Sequence, residues 1–207
     1  MHLKILASTL LVLLLRNTLS AELIDATLES RAEAKYGAFA KNRFVAIDET
    51  LLKKLSDESE LKKLNAVNTW VNYIKYASDK KVYGVSDYWA TLYEFVGKNK
   101  GDCEDYTIAK YYILKSLGVD PKKMKFAYVI YKNRSGKNIS HMVLAYLKVP
   151  QPKTKDDVLI LDNNNRRVLP ASKRPDLIKM IKMINGDTGP KSKKWKELEE
   201  NMQRKKL

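Results

Sequence analysis

The 207-residue chain is poor in nucleophiles and imidazoles: it has one cysteine, Cys103, and two histidines, His2 and His141. A single cysteine rules out an internal disulfide. Internal repeats, low-complexity blocks and a Pro/Gly-rich linker are also missing, so the chain reads as one domain, or one domain of two lobes, long enough to bury a real core. The one apolar run, at the start, is too short for an ordinary membrane span, which makes an uncleaved anchor the minor alternative to a removed leader, and no other stretch could cross a bilayer. Acid is scarce too, with 24 Asp+Glu against 39 Lys+Arg and a formal charge of +15. Such a balance points first to nucleic acid or anionic lipid. The lysines, however, are spread along solvated helix faces without regular aromatic interleaving. Basicity is therefore read as a surface property, with attraction to an acidic partner or membrane surface as the second reading.

Residues Met1 to Ala21 have the layout of a secretory signal, with Lys4, an apolar run from Ile5 to Leu15 and a small-residue exit at Leu19-Ser20-Ala21. Export is expected, and it argues against a nucleic-acid partner. In an oxidising compartment an idle thiol is a liability. The segment that carries it, Gly101-Asp102-Cys103-Glu104-Asp105-Tyr106, stands where a loop becomes a helix. Ile108, Ala109, Tyr112, Ile113 and Leu117 then recur at helical spacing until Gly118 and Pro121. Asp102 is thus the expected N-cap and Cys103 the first helical residue, where free amides and the helix dipole favour a thiolate. Asp102, Glu104 and Asp105 oppose that ionisation unless a cation or imidazolium neutralises them.

Residues 22–120 are expected to form a mostly helical lobe and 121–187 a sheet lobe, together an α+β domain. Leu51, Leu52, Leu55, Leu61, Leu64, Val67, Val71 and Ile74 recur at helical steps, and Trp70 joins that stripe. Period-two patterning predicts strands over Lys125–Tyr131, Ile139–Val149 and Val158–Asp162, the first two forming a hairpin turned by Asn133-Arg134-Ser135-Gly136. A helix of about ten residues is expected after Pro175. Residues 188–207 are expected as a basic tail, helical or partly disordered.

After signal removal His141 is the one imidazole available to Cys103. Cys103 on a helix, His141 on a strand and Asp162 at the next strand's end follow the chain order of papain-like and transglutaminase-like catalysts. Each has a plainer reading: a buried thiol, a structural histidine, a turn-forming aspartate. The set resembles the bacterial transglutaminase-like cysteine proteinases. The likeness rests on the Gly101–Tyr106 segment with Ile108-Ala109-Lys110-Tyr111, His141-Met142-Val143-Leu144-Ala145, Leu161-Asp162-Asn163, Pro170-Ala171-Ser172-Lys173-Arg174-Pro175-Asp176-Leu177, and Asp87–Phe95, where Leu92 replaces an expected proline.

The resemblance implies a papain-like fold with an N-terminal helical lobe and a C-terminal antiparallel sheet lobe. It implies Cys103 as nucleophile, His141 as general base and acid, and Asp162 as the group orienting His141. The implied substrate is a large repeat-containing surface adhesin, cut near its N-terminus so that it leaves the cell, which controls biofilm. The implied partners are that adhesin and an inner-membrane cyclic di-GMP receptor that sequesters the protease, with membrane contact only through the partner. Calcium is implied as cofactor, with Asp102, Glu104 and Asp105 as ligands, completed by carbonyls of the Tyr83–Trp89 loop. The residues alone leave these acids equally readable as helix-start residues. Trp89 is either packed beneath the Cys103 helix or a contact for the receptor. Acyl transfer to an amine and noncatalytic adhesin binding remain the competing functions.

Overall fold

In this computed structural model residues 23–207 are described; the leader expected over Met1–Ala21 lies outside them. Helices α1 (Ala26–Tyr36) and α2 (Ala38–Ala46) meet at Gly37, whose φ of 85° suits a residue without Cβ. Asp25 opens α1 by accepting the Leu28 N–H at 2.7 Å. A π-helical stretch (Ile47–Leu52) and a short turn follow. Next comes α3 (Glu60–Val71), capped by Ser59. Strand β1 (Lys75–Tyr76) pairs in parallel with β2 (Lys100–Gly101), and between them lie α4 (Asp79–Tyr83) and α5 (Leu92–Lys98). Thr91 and Glu94 close a capping box on α5. Helix α6 (Cys103–Ser116) begins as the sequence predicts, with Asp102 as N-cap.

The sheet comprises β3 (Met124–Lys132), β4 (Asn138–Leu147), β5 (Val158–Asp162), β6 (Asn165–Pro170) and β7 (Leu177–Asn185), in the order β6-β5-β4-β3-β7 with antiparallel neighbours throughout. Two expectations are corrected here. The segment after Pro175 is a strand, β7, because it pairs with β3 from Lys125↔Asn185 to Tyr131↔Leu177. Beyond the Asn163–Asn165 turn, β6 adds a strand that sequence patterning does not reveal.

One face of the sheet packs on the helices. Leu28, Phe44, Leu64, Phe95, Ile108, Phe126 and Leu144 belong to that single buried cluster. Val129, Val143, Ala145 and Ile160 form a second cluster on the opposite face. Burial on this scale is what stabilises the lobes against each other, at roughly 25 cal/mol per Å² of apolar surface removed from water. Helix α7 (Lys193–Gln203) starts at Ser192 and returns across the helical lobe with Trp195, Leu198 and Met202 buried. Trp195 sits edge-on to Phe126 at 5.0 Å and stacks near Tyr112 at 6.4 Å. Thr91 Oγ1 donates to the Lys206 carbonyl at 2.7 Å, and Lys35 Nζ to the Leu207 carbonyl at 2.6 Å. Among the described residues no helix is long and apolar enough to cross a membrane.

Candidate active site

Helix α6 lies against β4, and the two are tied at the site itself. Thr107 Oγ1 lies within donating distance of the Cys103 carbonyl, at 2.8 Å, and of the Met142 carbonyl, at 3.3 Å. The first turn of α6, which carries Cys103, is thereby set against β4 at the residue after His141. His141, buried opposite Val129 in the register, has its Nε2 2.8 Å from Asp162 Oδ1. That contact leaves Nδ1 as the ring nitrogen free to exchange a proton.

Asp162 is fixed from several sides. α3 holds the β5–β6 turn through Asn72 Nδ2, which donates to the Asp162 carbonyl at 2.7 Å, and through Asn68 Nδ2, which donates to the Asn165 and Arg166 carbonyls. The Asn164 backbone N–H donates to Asp162 Oδ1 at 2.9 Å. On the other oxygen, Arg174 Nη2 donates to Oδ2 at 2.5 Å, while the same guanidinium grips Asp176 through Nε and Nη2. Burial alone would raise the Asp162 pKa; the His141 hydrogen bond and charge, with Arg174 behind them, outweigh it and hold the carboxyl well below the usual range. The sequence reading did not single out Arg174, although it lies within the Pro170–Leu177 segment. No local pattern signals its inward turn onto Asp162.

The acids around Cys103 behave differently from a simple helix start. The thiol donates to Glu104 Oε2 at 2.8 Å, and among the described residues no hydrogen bond joins it to His141. Burial and the Glu104 carboxylate push the thiol pKa far up, against the acidification expected from the helix terminus. Asp79, Asp102 and Asp105 bring one carboxylate oxygen each within 4.8 Å of one another, and Asp102, Cys103 and Glu104 form a second such group. Burial, then the Glu104, Asp105 and Asp79 charges, raise Asp102 to about 9. Burial also raises Asp79 and Asp105.

The loop before α5 reaches this cluster with N–H donors: Tyr88 N–H to Asp79 Oδ2 at 2.6 Å and Ala90 N–H to Asp105 Oδ1 at 2.9 Å. Asp79 Oδ1 and Asp102 Oδ1 are buried without a hydrogen-bond partner. Converging carboxylates with orphaned oxygens fit a hard divalent cation with oxygen ligands. Asp79, which the sequence reading missed, therefore joins Asp102 and Asp105, while Glu104 faces the thiol. Gly101 is required here, because a Cβ would fall 2.5 Å from both Asp105 Oδ2 and the Phe95 ring.

Trp89 is half-buried, edge-on to Trp195 at 6.3 Å, with Lys194 Nζ 5.5 Å from its ring centroid. It packs against α7 and also lines a cavity that reaches His141.

A cysteine-bearing helix packed on an antiparallel sheet, with a buried imidazole–carboxylate pair at the sheet's end, is the architecture of transglutaminase-like cysteine proteases. The profile of one such family, the bacterial transglutaminase-like cysteine proteinases (BTLCP), matches residues 37–203, and the chain belongs to that family. It is a cysteine protease. Among solved structures it is similar to LapG of Legionella pneumophila, with 30% identity over 90% of this chain and 100% of that one and a TM-score of 0.67. The calcium-bound form of that LapG gives 29% identity, 85% and 97% coverage and a TM-score of 0.64. Its EGTA-treated form gives 29%, 88% and 100% coverage and 0.68. No curated protein sequence matches the chain.

Proposed function

We propose that the protein is an exported, periplasmic cysteine endopeptidase that cuts a large repeat-containing surface adhesin near its N-terminus and so releases it from the cell, limiting biofilm. The observation that carries the chemistry is the buried His141–Asp162 pair beside the Met142 carbonyl, which Thr107 links to the first turn of the Cys103 helix. Cys103 Sγ attacks the scissile carbonyl carbon. His141 Nδ1 takes the thiol proton and delivers it to the leaving amine. The resulting thioester is hydrolysed by water that His141 deprotonates, which restores the thiol. Asp162 keeps the proton on Nε2 and stabilises the imidazolium.

Asp79, Asp102 and Asp105, with Glu104 beside them, are the residues that would hold calcium. Bound there, the ion supplies positive charge to a cluster whose acids otherwise oppose ionisation of the neighbouring thiol. The calcium-bound form of the similar Legionella LapG supports this reading. A membrane-anchored cyclic di-GMP receptor is the proposed regulator, with Trp89 among its contacts.

The test is incubation of exported adhesins with wild type and with Cys103→Ala, followed by mass spectrometry. Two fragments with wild type alone are expected. An amine adduct in place of fragments would assign acyl transfer, and binding without any Cys103-dependent product would assign a noncatalytic module.

A further inference from the structure

Beside His141 the structure opens a cavity of about 430 Å³ between β7 and the segment leading into α7. Its interior is apolar, made by Trp89, Ile181 and Ile184, and Ile181 is 55% exposed. Its rim is basic, with Lys182 from β7 and Lys191 and Lys194 from the α7 approach. Lys194 is engaged by Asp87, whereas Lys182 and Lys191 make no ion pair among the described residues. An edge strand often carries a lysine to discourage pairing with other chains, which accounts for Lys182. It does not account for two further lysines brought to the same rim from a different segment. One sign of charge around an apolar cleft raises the local concentration of oppositely charged ligand.

We infer that this cavity is a substrate subsite that takes an apolar side chain flanked by acidic residues, within a few positions of the scissile bond. The inference rests on the protease reading and adds the chemical class of the segment to be cut. A peptide laid across His141 puts its neighbouring side chains into this cavity, and carboxylates on either side of the apolar residue meet Lys182 and Lys191. The acid-poor composition of the chain as a whole, with a formal charge of +15, reinforces attraction of such a segment.

The experiment digests a peptide library with the full-length protein in calcium, then compares matched peptides whose flanks carry Asp/Glu or Asn/Gln. Cleaved sequences should be enriched in acidic residues near the cut. The kcat/KM ratio of acidic over neutral peptides should fall roughly three- to tenfold in Lys182→Gln/Lys191→Gln, the range expected for two exposed ion pairs. It should invert in Lys182→Glu/Lys191→Glu and shrink with added salt. Equal cleavage of acidic and neutral peptides by wild type would overturn the inference while leaving the protease intact. Unchanged peptide preference in the lysine variants, coupled with loss of binding to vesicles containing anionic lipid, would assign the rim to a membrane surface and overturn it as well. Absence of any Cys103-dependent cleavage would overturn the protease reading and this subsite together.

Discussion

Replacing Arg174 by methionine tests how the Asp162 carboxylate, proposed to orient His141, is held. Arg174 and Asp162 are 3% and 1% exposed, and the guanidinium donates to Asp162 Oδ2 at 2.5 Å. The variant leaves a buried carboxylate with His141 on one oxygen and no cation on the other. At charge separations of about 4 Å and an effective dielectric near 20, the lost attraction is about 4 kcal/mol. Breaking one side of a buried ion pair costs about 3–5 kcal/mol in general. Two features pull toward the lower figure: Asp176, the other partner, has a side chain 34% exposed and returns to water, and buried Lys110 acts on Asp162 at longer range. A loss of about 3 kcal/mol corresponds to roughly 6–12 °C in Tm for a domain of this size. Thermal and urea unfolding measure it. Asp162→Asn/Arg174→Met, which removes both charges, should be more stable than Arg174→Met alone. In the single variant kcat should fall with KM nearly unchanged, because Asp162 no longer presents Oδ1 to His141. A Tm drop under about 3 °C, or no relief in the double variant, would refute the reasoning.

Asp162→Asn should lower kcat by about 10²–10⁴ through the wrong imidazole tautomer while substrate affinity holds, and retained turnover with weakened binding would reassign the residue. Asp79→Asn should weaken calcium binding in calorimetry as Asp102→Ala does, and a calcium-selective chelator should stop cleavage until calcium, and not magnesium, is returned; an unchanged calcium heat in Asp79→Asn would remove that ligand. Lys110 is 1% exposed and burial lowers its pKa to about 7, with Asp162 partly offsetting. It is charged in both folded and unfolded chains below pH 7, so its burial penalty, on the order of 4 kcal/mol, is complete there and fades as pH rises from 7 toward about 10. Lys110→Met should therefore stabilise the protein most at pH 5–6 and progressively less above pH 7, as read by Tm across pH; a pH-independent gain would contradict the assignment.

Local signals carried much of the site into view. The start of α6 at Cys103 was legible because caps, acids and apolar spacing agree there, and the β3–β4 hairpin because its period and its Asn-Arg-Ser-Gly turn agree. β7 was not legible, for a definite physical reason. As an edge strand lined by cavities on both sides it carries apolar residues on both faces, and Lys179 and Lys182 fall three apart, so the pattern imitates a helix. β6 is short and polar, with Arg166 and Arg167 exposed, and shows no alternation. Asp79 and Arg174 reach the site only through tertiary folding. Asp79 is 23 residues ahead of Asp102 and Arg174 is 12 beyond Asp162, distances at which no spacing rule operates.

The return of α7 across the helical lobe has a temporal meaning. Trp195 braces Trp89 and the aromatic layer, Lys194 bonds Asp87 in the loop that feeds N–H groups to the acid cluster, and the Lys206 carbonyl holds the first turn of α5. Contacts spanning 106 to 115 residues form late, because the intervening chain must first be closed into a loop. The loop beside the acid cluster thus takes its shape from residues more than a hundred positions downstream, so its geometry depends on long-range closure as much as on its own sequence.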